Sequence, residues 1–134
     1  EWPARCGAAA DAWAKAIDEL DLVAAAQAPM GLLREVDAFI NRTEPFKVAK
    51  DPSRAAELAS ILAQCAETVR IAGVMLEPFL PAKMAELRTA LGGDADAALP
   101  AAHTSRAARL QWGRLVPGTP LAKCALFPRV EAAK

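Results

Sequence analysis

The chain has 134 residues, of which 54% are hydrophobic and 5% are aromatic, and its 16 basic and 16 acidic side chains give no net charge at neutral pH. This length suits one domain with one core, and the alanine-rich composition without tyrosine favours helices over a large β-sheet. A neutral chain is not a general attractor of nucleic acid, so any such contact has to be local.

The cysteines indicate a reducing compartment. The chain has an odd number of cysteines, Cys6, Cys65 and Cys124, which lie far apart and form no Cys-x-x-Cys pair. This pattern predicts neither a disulfide framework nor a zinc site, and it fits a cytoplasmic protein. We expect no signal peptide and no apolar run long enough to span a membrane. The first residue, Glu1 instead of methionine, indicates a processed or excised segment.

Two helices are expected in the first third of the chain. The first runs from about residue 3 to 19, because one helical face collects Cys6, Ala9, Trp13, Ala16 and Leu20. The second runs from about 21 to 44 with Asp21 as its N-cap. Its predicted buried stripe comprises Leu22, Ala26, Met30, Leu33, Val36 and Ile40. Pro29 should kink this helix, and Pro45 should end it, because the residue before a proline avoids the helical region.

Two further helices complete a predicted all-α bundle of about four helices. The third begins with Asp51 as its cap and Pro52 in the first position. Its apolar seam comprises Leu58, Leu62, Cys65, Val69, Ala72, Leu76 and Phe79. Pro78 should bend or break its end, and a short fourth helix from about Pro81 should stop at Gly92.

The remainder of the chain, residues 93–134, is expected to be a loop and an extended, strap-like tail with at most one short helix near residues 105–110. Its apolar residues are too numerous for a disordered tail: Trp112, Leu115, Leu121, Leu126, Phe127 and Val130. We therefore expect the tail to pack across a bundle formed by residues 1–92, with Trp112 and Phe127 buried, so that residues 1–134 form one domain.

No constellation in the sequence favours catalysis. The only histidine, His103, lies among alanines and a threonine in an expected loop, and nucleophilic chemistry there would need a distant partner. A glycine-rich phosphate loop is absent from the sequence. We expect no catalytic residue, no metal site and no cofactor in this chain.

The stretch from residue 39 to 52 is the most informative. A predicted helix ends at Pro45, the aromatic Phe46 follows at once, and Lys47 and Lys50 stand nearby. An exposed aromatic ring can stack on an unpaired base for roughly 1–3 kcal/mol, and neighbouring cations can hold phosphates. On the pattern alone, the alternative is that Phe46 fills the gap between two helices.

The same stretch resembles the anticodon-binding domain of methionyl-tRNA synthetases, whose second long helix ends in the pattern Asn-x-Tyr-Ile-Asp-x-x-x-Pro-Trp-x-Leu-Ala-Lys. The corresponding residues are Asp37, Phe39, Ile40, Asn41, Pro45, Phe46, Val48, Ala49 and Lys50. Blocks at 66–70, 76–81, 110–119 and 125–131 also resemble the family, so the resemblance covers residues from about 10 to 131.

The resemblance implies a domain that holds the CAU anticodon loop of methionine tRNA for a catalytic domain outside this chain. Phe46, at the position of the family's tryptophan, would stack on a base, and Pro45 would set its angle. Arg42 and Lys47 would contact backbone phosphate, an assignment made from position alone. ATP and methionine would bind the catalytic domain, because this chain has no His-Ile-Gly-His or Lys-Met-Ser-Lys-Ser segment. Neither DNA nor a membrane is an expected partner.

Two alternatives remain open. A protein-interaction or scaffold bundle derived from a synthetase is favoured by the neutral charge and by Phe46 in place of tryptophan. The anticodon domain of a sister synthetase, for isoleucine, valine, leucine or cysteine, would share the architecture. The Pro-aromatic block and the Leu-Phe-Pro-Arg block favour methionine.

Overall fold

A computed structural model describes residues 1–93 and 105–129 of the chain. Its elements are α1 (Trp2–Asp18), α2 (Leu22–Thr43), α3 (Pro45–Val48), a 3-10 turn (Pro52–Arg54), α4 (Ala55–Leu76), α5 (Pro81–Ala90) and α6 (Arg106–Arg109). Across these described ranges there is no β-strand. The all-α prediction is confirmed, and the four long helices lie close to their predicted bounds. The single turn α3 is an addition that the sequence pattern does not predict.

The helix boundaries follow from local chemistry. The Asp21 carboxylate accepts a hydrogen bond from the Ala24 N–H at 2.9 Å, and Asp51 accepts one from the Ser53 N–H at 3.0 Å. The predicted N-cap of α2 is thus confirmed. Asp51 caps the 3-10 turn that leads into α4, whose own N-cap residue is Arg54. At the other end, α5 stops before Gly92, which has a φ of 103°. A Cβ at Gly92 would lie 2.1 Å from the Thr119 methyl group, so the tail approaches closely here.

Helix α4 is the centre of the bundle and contacts α1, α2, α3 and α5. Its last two turns, Ile71 to Leu76, are buried on every side. The segment Pro52–Leu76 is long and apolar enough to cross a membrane by length and composition alone, which corrects our expectation that no run reaches that limit. The apolar stretch of 18 residues within it is 56% buried inside this structure, and a core helix meets the same criterion.

The buried faces of the helices differ in part from the predicted ones. On α2 the buried residues are Ala25, Pro29, Leu32 and Val36. Leu22 and Met30, predicted to be buried, are exposed, as are Leu20 and Leu62. Alanines on several faces of α2 make its stripe ambiguous, and Leu20 lies beyond the end of α1. On α4, Ile61 is buried instead of Leu62.

Two clusters of side chains form the core. One comprises Cys6, Trp13, Ala16, Ala25, Leu32, Ile71 and Met75. The other comprises Trp2, Val36, Val48, Ile61 and Cys65. Trp112 from the tail, which we expected to be buried, is partly buried and packs against both clusters. The tail therefore takes part in the core and joins its two halves.

Residues 110–122 cross the bundle as an extended segment, called the strap below. The Glu67 carboxylate accepts hydrogen bonds from three successive strap amides, those of Gly113, Arg114 and Leu115, at 2.8, 2.9 and 3.2 Å. Further along the strap, the Ala122 N–H donates to the Ala90 carbonyl at 2.8 Å. The prediction that the tail packs across the bundle is confirmed for this segment.

The end of the tail departs from the prediction. Phe127, expected to be buried, is 66% exposed, and Leu121 is 57% exposed. Phe127 lies beyond the last backbone contact with α5, so the bundle does not cover it. His103, Val130 and the predicted loop after Gly93 fall outside the described residues.

Candidate nucleic-acid interface

The junction between α2 and α4 is a sharp corner built on Glu44. This residue has φ 46° and ψ 56°, the left-handed conformation, and its N–H donates to the Ile40 carbonyl at 2.9 Å to close α2. Its own carbonyl accepts from Lys47 at 2.8 Å and from Val48 at 3.2 Å, which opens α3. Pro45 explains why α2 ends here, because a residue before proline avoids the right-handed helical region, and the left-handed Glu44 sets the direction of the corner.

The one turn of α3 fixes which side chains face outward. Pro45 and Val48, three residues apart, share a face and are buried, and Val48 is only 2% exposed in the second core cluster. Phe46 and Lys47 therefore lie on the outer side, and Phe46 is 59% exposed. The alternative that Phe46 fills the gap between two helices is wrong, since Pro45 and Val48 occupy that place.

The two cations predicted to contact phosphate, Lys47 and Arg42, have different neighbours. The Lys47 ammonium contacts the Glu44 carboxylate at 2.7 Å in an exposed pair. The Arg42 guanidinium, in the last turn of α2, lies 5.5 Å from the ring centroid of Phe39. Pro45, Phe46 and Lys47 are thus brought together in one turn, while Arg42 stands on a neighbouring aromatic surface.

That aromatic surface is a feature that our sequence analysis missed. The Trp2 and Phe39 rings meet edge to face, with centroids 5.4 Å apart, and the Arg5 guanidinium lies 5.9 Å from the Trp2 ring. Arg5 also pairs with Glu35, which raises the pKa of the Arg5 guanidinium. A signal was present, since Trp2 lies four residues before Cys6 and extends the predicted stripe of α1 by one turn.

The buried charges of α4 were missed as well. Glu67 and Arg70 form an ion pair at 2.8 Å with side chains 5% and 6% exposed. Burial acts to raise the pKa of Glu67, but hydrogen bonds from Arg70 and from the strap amides outweigh it and lower that pKa. Arg70 also donates to the Arg109 and Gln111 carbonyls, both at 2.7 Å. These buried groups therefore hold the fold together, since their partners are other groups of this chain.

Within residues 1–93 and 105–129, no group of three or more histidine, cysteine, aspartate or glutamate side chains is placed to hold a metal ion. The cysteines described there are free; Cys6 and Cys65 are buried and Cys124 is exposed.

Comparisons with known proteins identify relatives by sequence. The chain is 39% identical to the methionine–tRNA ligase of Streptomyces coelicolor, over 92% of this chain and 23% of that protein. It is 34% identical to the methionine–tRNA ligase of Bacillus subtilis, over 90% of this chain and 18% of that protein. It is also 41% identical to a probable mitochondrial methionine–tRNA ligase of Neurospora crassa, over 51% of this chain and 11% of that protein.

No protein-family model matches the chain, and no solved structure does. The chain spans about a fifth of the length of the Streptomyces and Bacillus relatives. Because the aligned region covers about nine-tenths of this chain in both cases, the chain belongs to the methionine–tRNA ligase family.

Proposed function

We propose that this chain binds the anticodon loop of methionine tRNA, with its CAU sequence, and positions the tRNA for a catalytic domain elsewhere in a longer ligase. One observation carries the proposal: the Phe46 ring is exposed on a turn that Pro45 and Val48 anchor in the core. Phe46 also occupies the position at which the family's signature has a tryptophan. A ring held in place before binding loses little freedom when a base stacks on it.

The two cations support backbone contacts beside that ring. The pair between Lys47 and Glu44 has side chains 63% and 43% exposed, and exposed pairs of this kind hold weakly. A phosphate can therefore replace Glu44 as the partner of Lys47. Arg42 rests over the Phe39 ring, an arrangement that leaves its in-plane N–H donors available to a phosphate.

The remaining elements of the proposal follow from membership of the family. ATP and methionine bind the catalytic domain, and this chain holds no cofactor. The protein acts in the cytoplasm, where its tRNA is charged, and neither DNA nor a membrane is its partner. Under this proposal the catalytic domain and the tRNA are its two partners.

The test uses Phe46→Ala in the complete ligase and measures the affinity for a CAU anticodon stem-loop. Loss of one stacked base is worth roughly 1–3 kcal/mol, so the affinity should fall about tenfold to a hundredfold. The fold should be nearly unchanged, because the exposed ring occupies no core volume. Phe46→Trp should bind as well as or better than the parent, since the larger ring overlaps more of the base.

Phe127→Ala is the matched control, because this second exposed phenylalanine lies beyond the strap in the sequence and is 66% exposed against 59% for Phe46. It should leave the affinity unchanged. If Phe46→Ala binds the stem-loop like the parent, Phe46 is not the stacking residue and the proposed role fails.

A further inference from the structure

Three apolar side chains stand out at the turn between α1 and α2. Leu20, Leu22 and Val23 are 82%, 59% and 68% exposed, and together they are called the apolar knuckle. Isolated exposed leucines are common on protein surfaces, whereas a contiguous apolar group is typical of a contact surface.

Leu20 adopts an unfavourable backbone conformation. Its φ is 59°, in the left-handed region at the end of α1, where the Asp21 N–H donates to the Ala16 carbonyl at 2.8 Å. Glycine is the residue that helix ends favour at this position, and a leucine there is strained. The leucine side chain recovers little of this cost by burial, because it is exposed in the chain as described.

The surroundings of the knuckle indicate what kind of partner fits. The carboxylates of Asp18, Glu19 and Asp21 are exposed around it, with Lys15 beside Glu19 at 3.9 Å. A phosphate backbone is repelled by such a rim, and a protein surface with basic side chains around an apolar centre complements it. The knuckle also stands at the start of α2, and Phe46 follows its end, about 30 Å away by helix length.

We propose that the apolar knuckle docks on a basic-rimmed apolar surface in the rest of the same ligase polypeptide. The inference rests on the proposed function in one respect, that this chain is part of a longer ligase. The Streptomyces and Bacillus relatives extend far beyond the matched segment, which covers 23% and 18% of their lengths. Most of the polypeptide is thus available to cover the knuckle.

Carbene footprinting by mass spectrometry tests the proposal by comparing this chain with the complete ligase in the absence of tRNA. We expect Leu20, Leu22 and Val23 to be labelled several-fold less in the ligase. Phe46 is the internal control, since it should be labelled equally in both. Equal labelling of the knuckle in the two proteins overturns the inference.

The same experiment separates the two proposals. Adding the CAU stem-loop to the ligase should reduce labelling of Phe46 and leave the knuckle unchanged. Failure of Phe46 to respond counts against the anticodon role alone. If the knuckle becomes protected in this chain as its concentration rises, a second copy is the partner and docking within one polypeptide is wrong.

Leu20→Gly is a useful variant because misfolding cannot account for its expected effect. In this chain it should raise the midpoint of thermal unfolding, because glycine relieves the strained conformation. In the ligase it should increase labelling of Leu22 and Val23 towards the values of the separate chain. The control Leu62→Ala changes a leucine that is 50% exposed on α4 and should leave that labelling low. Continued protection of Leu22 and Val23 in Leu20→Gly overturns the role of Leu20.

Discussion

Replacing Glu67 with alanine should destabilise the fold strongly, because this carboxylate fastens the strap to α4. The change leaves three strap amides without their acceptor and leaves Arg70, 6% exposed, without its carboxylate. Each unsatisfied buried group costs roughly 1–3 kcal/mol, but the strap can peel away and rehydrate its amides. The loss of one partner from a buried ion pair, about 3–5 kcal/mol, is therefore the better guide to the fall in the free energy of unfolding.

The chain offers a closely matched control in Glu57. Arg54 donates two hydrogen bonds to Glu57, at 2.8 and 2.7 Å, across the same spacing of three residues. Both side chains are about half exposed, so water replaces the lost contact. Glu57→Ala should leave the free energy of unfolding nearly unchanged. The difference between the two variants in free energy of unfolding then isolates the effect of burial and of the strap.

Urea denaturation followed by circular dichroism measures both variants, and hydrogen exchange of residues 113–115 reports the strap directly. In Glu67→Ala these amides should exchange much faster than in the parent. Two results would refute the reasoning: similar stabilities for the Glu67 and Glu57 variants, or strap amides that stay protected without the carboxylate.

Two other predictions follow from the titrating groups. Hydrogen bonds from Arg109 lower the pKa of Glu77, and the pKa of Glu67 is lowered as described above. The two ionised carboxylates stabilise the fold fully above the ordinary glutamate pKa of 4.5. This stabilisation is lost as the pH falls through their lower pKa values in the folded state. The melting temperature should therefore drop in acid, and less so in Glu67→Gln. A thiol reagent at neutral pH should modify exposed Cys124 first, because burial raises the pKa of the Cys6 and Cys65 thiols; mass spectrometry that finds Cys6 labelled first contradicts this.

The boundaries of the helices could be predicted because their causes are local. Asp21 and Asp51 cap helices within three residues of themselves, and Pro45 ends α2 through the restriction that it places on the residue before it. The exposure of Phe46 follows from the same corner, since a turn of α3 with Pro45 inward places Phe46 outward. The proposed anticodon role needs the resemblance beside this exposure, because an exposed ring between two helices does not by itself define its ligand.

The contacts that the sequence did not predict are those between distant residues. Glu67 lies 46 residues from Gly113 in the sequence, and no periodicity records that pairing. The buried face of α2 was ambiguous for a related reason: several of its faces carry alanine, so the choice of Leu32 over Met30 depends on where α4 lies. Phe127 shows the same limit, since an apolar residue in a tail is buried only where the bundle reaches it.

The distribution of charge in the fold bears on how tightly this domain can hold RNA. Its buried charges, Glu67 and Arg70, are engaged with the strap, and the proposed interface consists of exposed groups. A stacked base contributes roughly 1–3 kcal/mol, less than the 4.1 kcal/mol that corresponds to a dissociation constant of about 1 mM. On the proposed function, Phe46 alone therefore cannot capture a tRNA, and we expect phosphate contacts elsewhere on a longer ligase to supply most of the affinity. On the proposed function, this domain selects and orients the anticodon loop of a tRNA that the whole enzyme already holds.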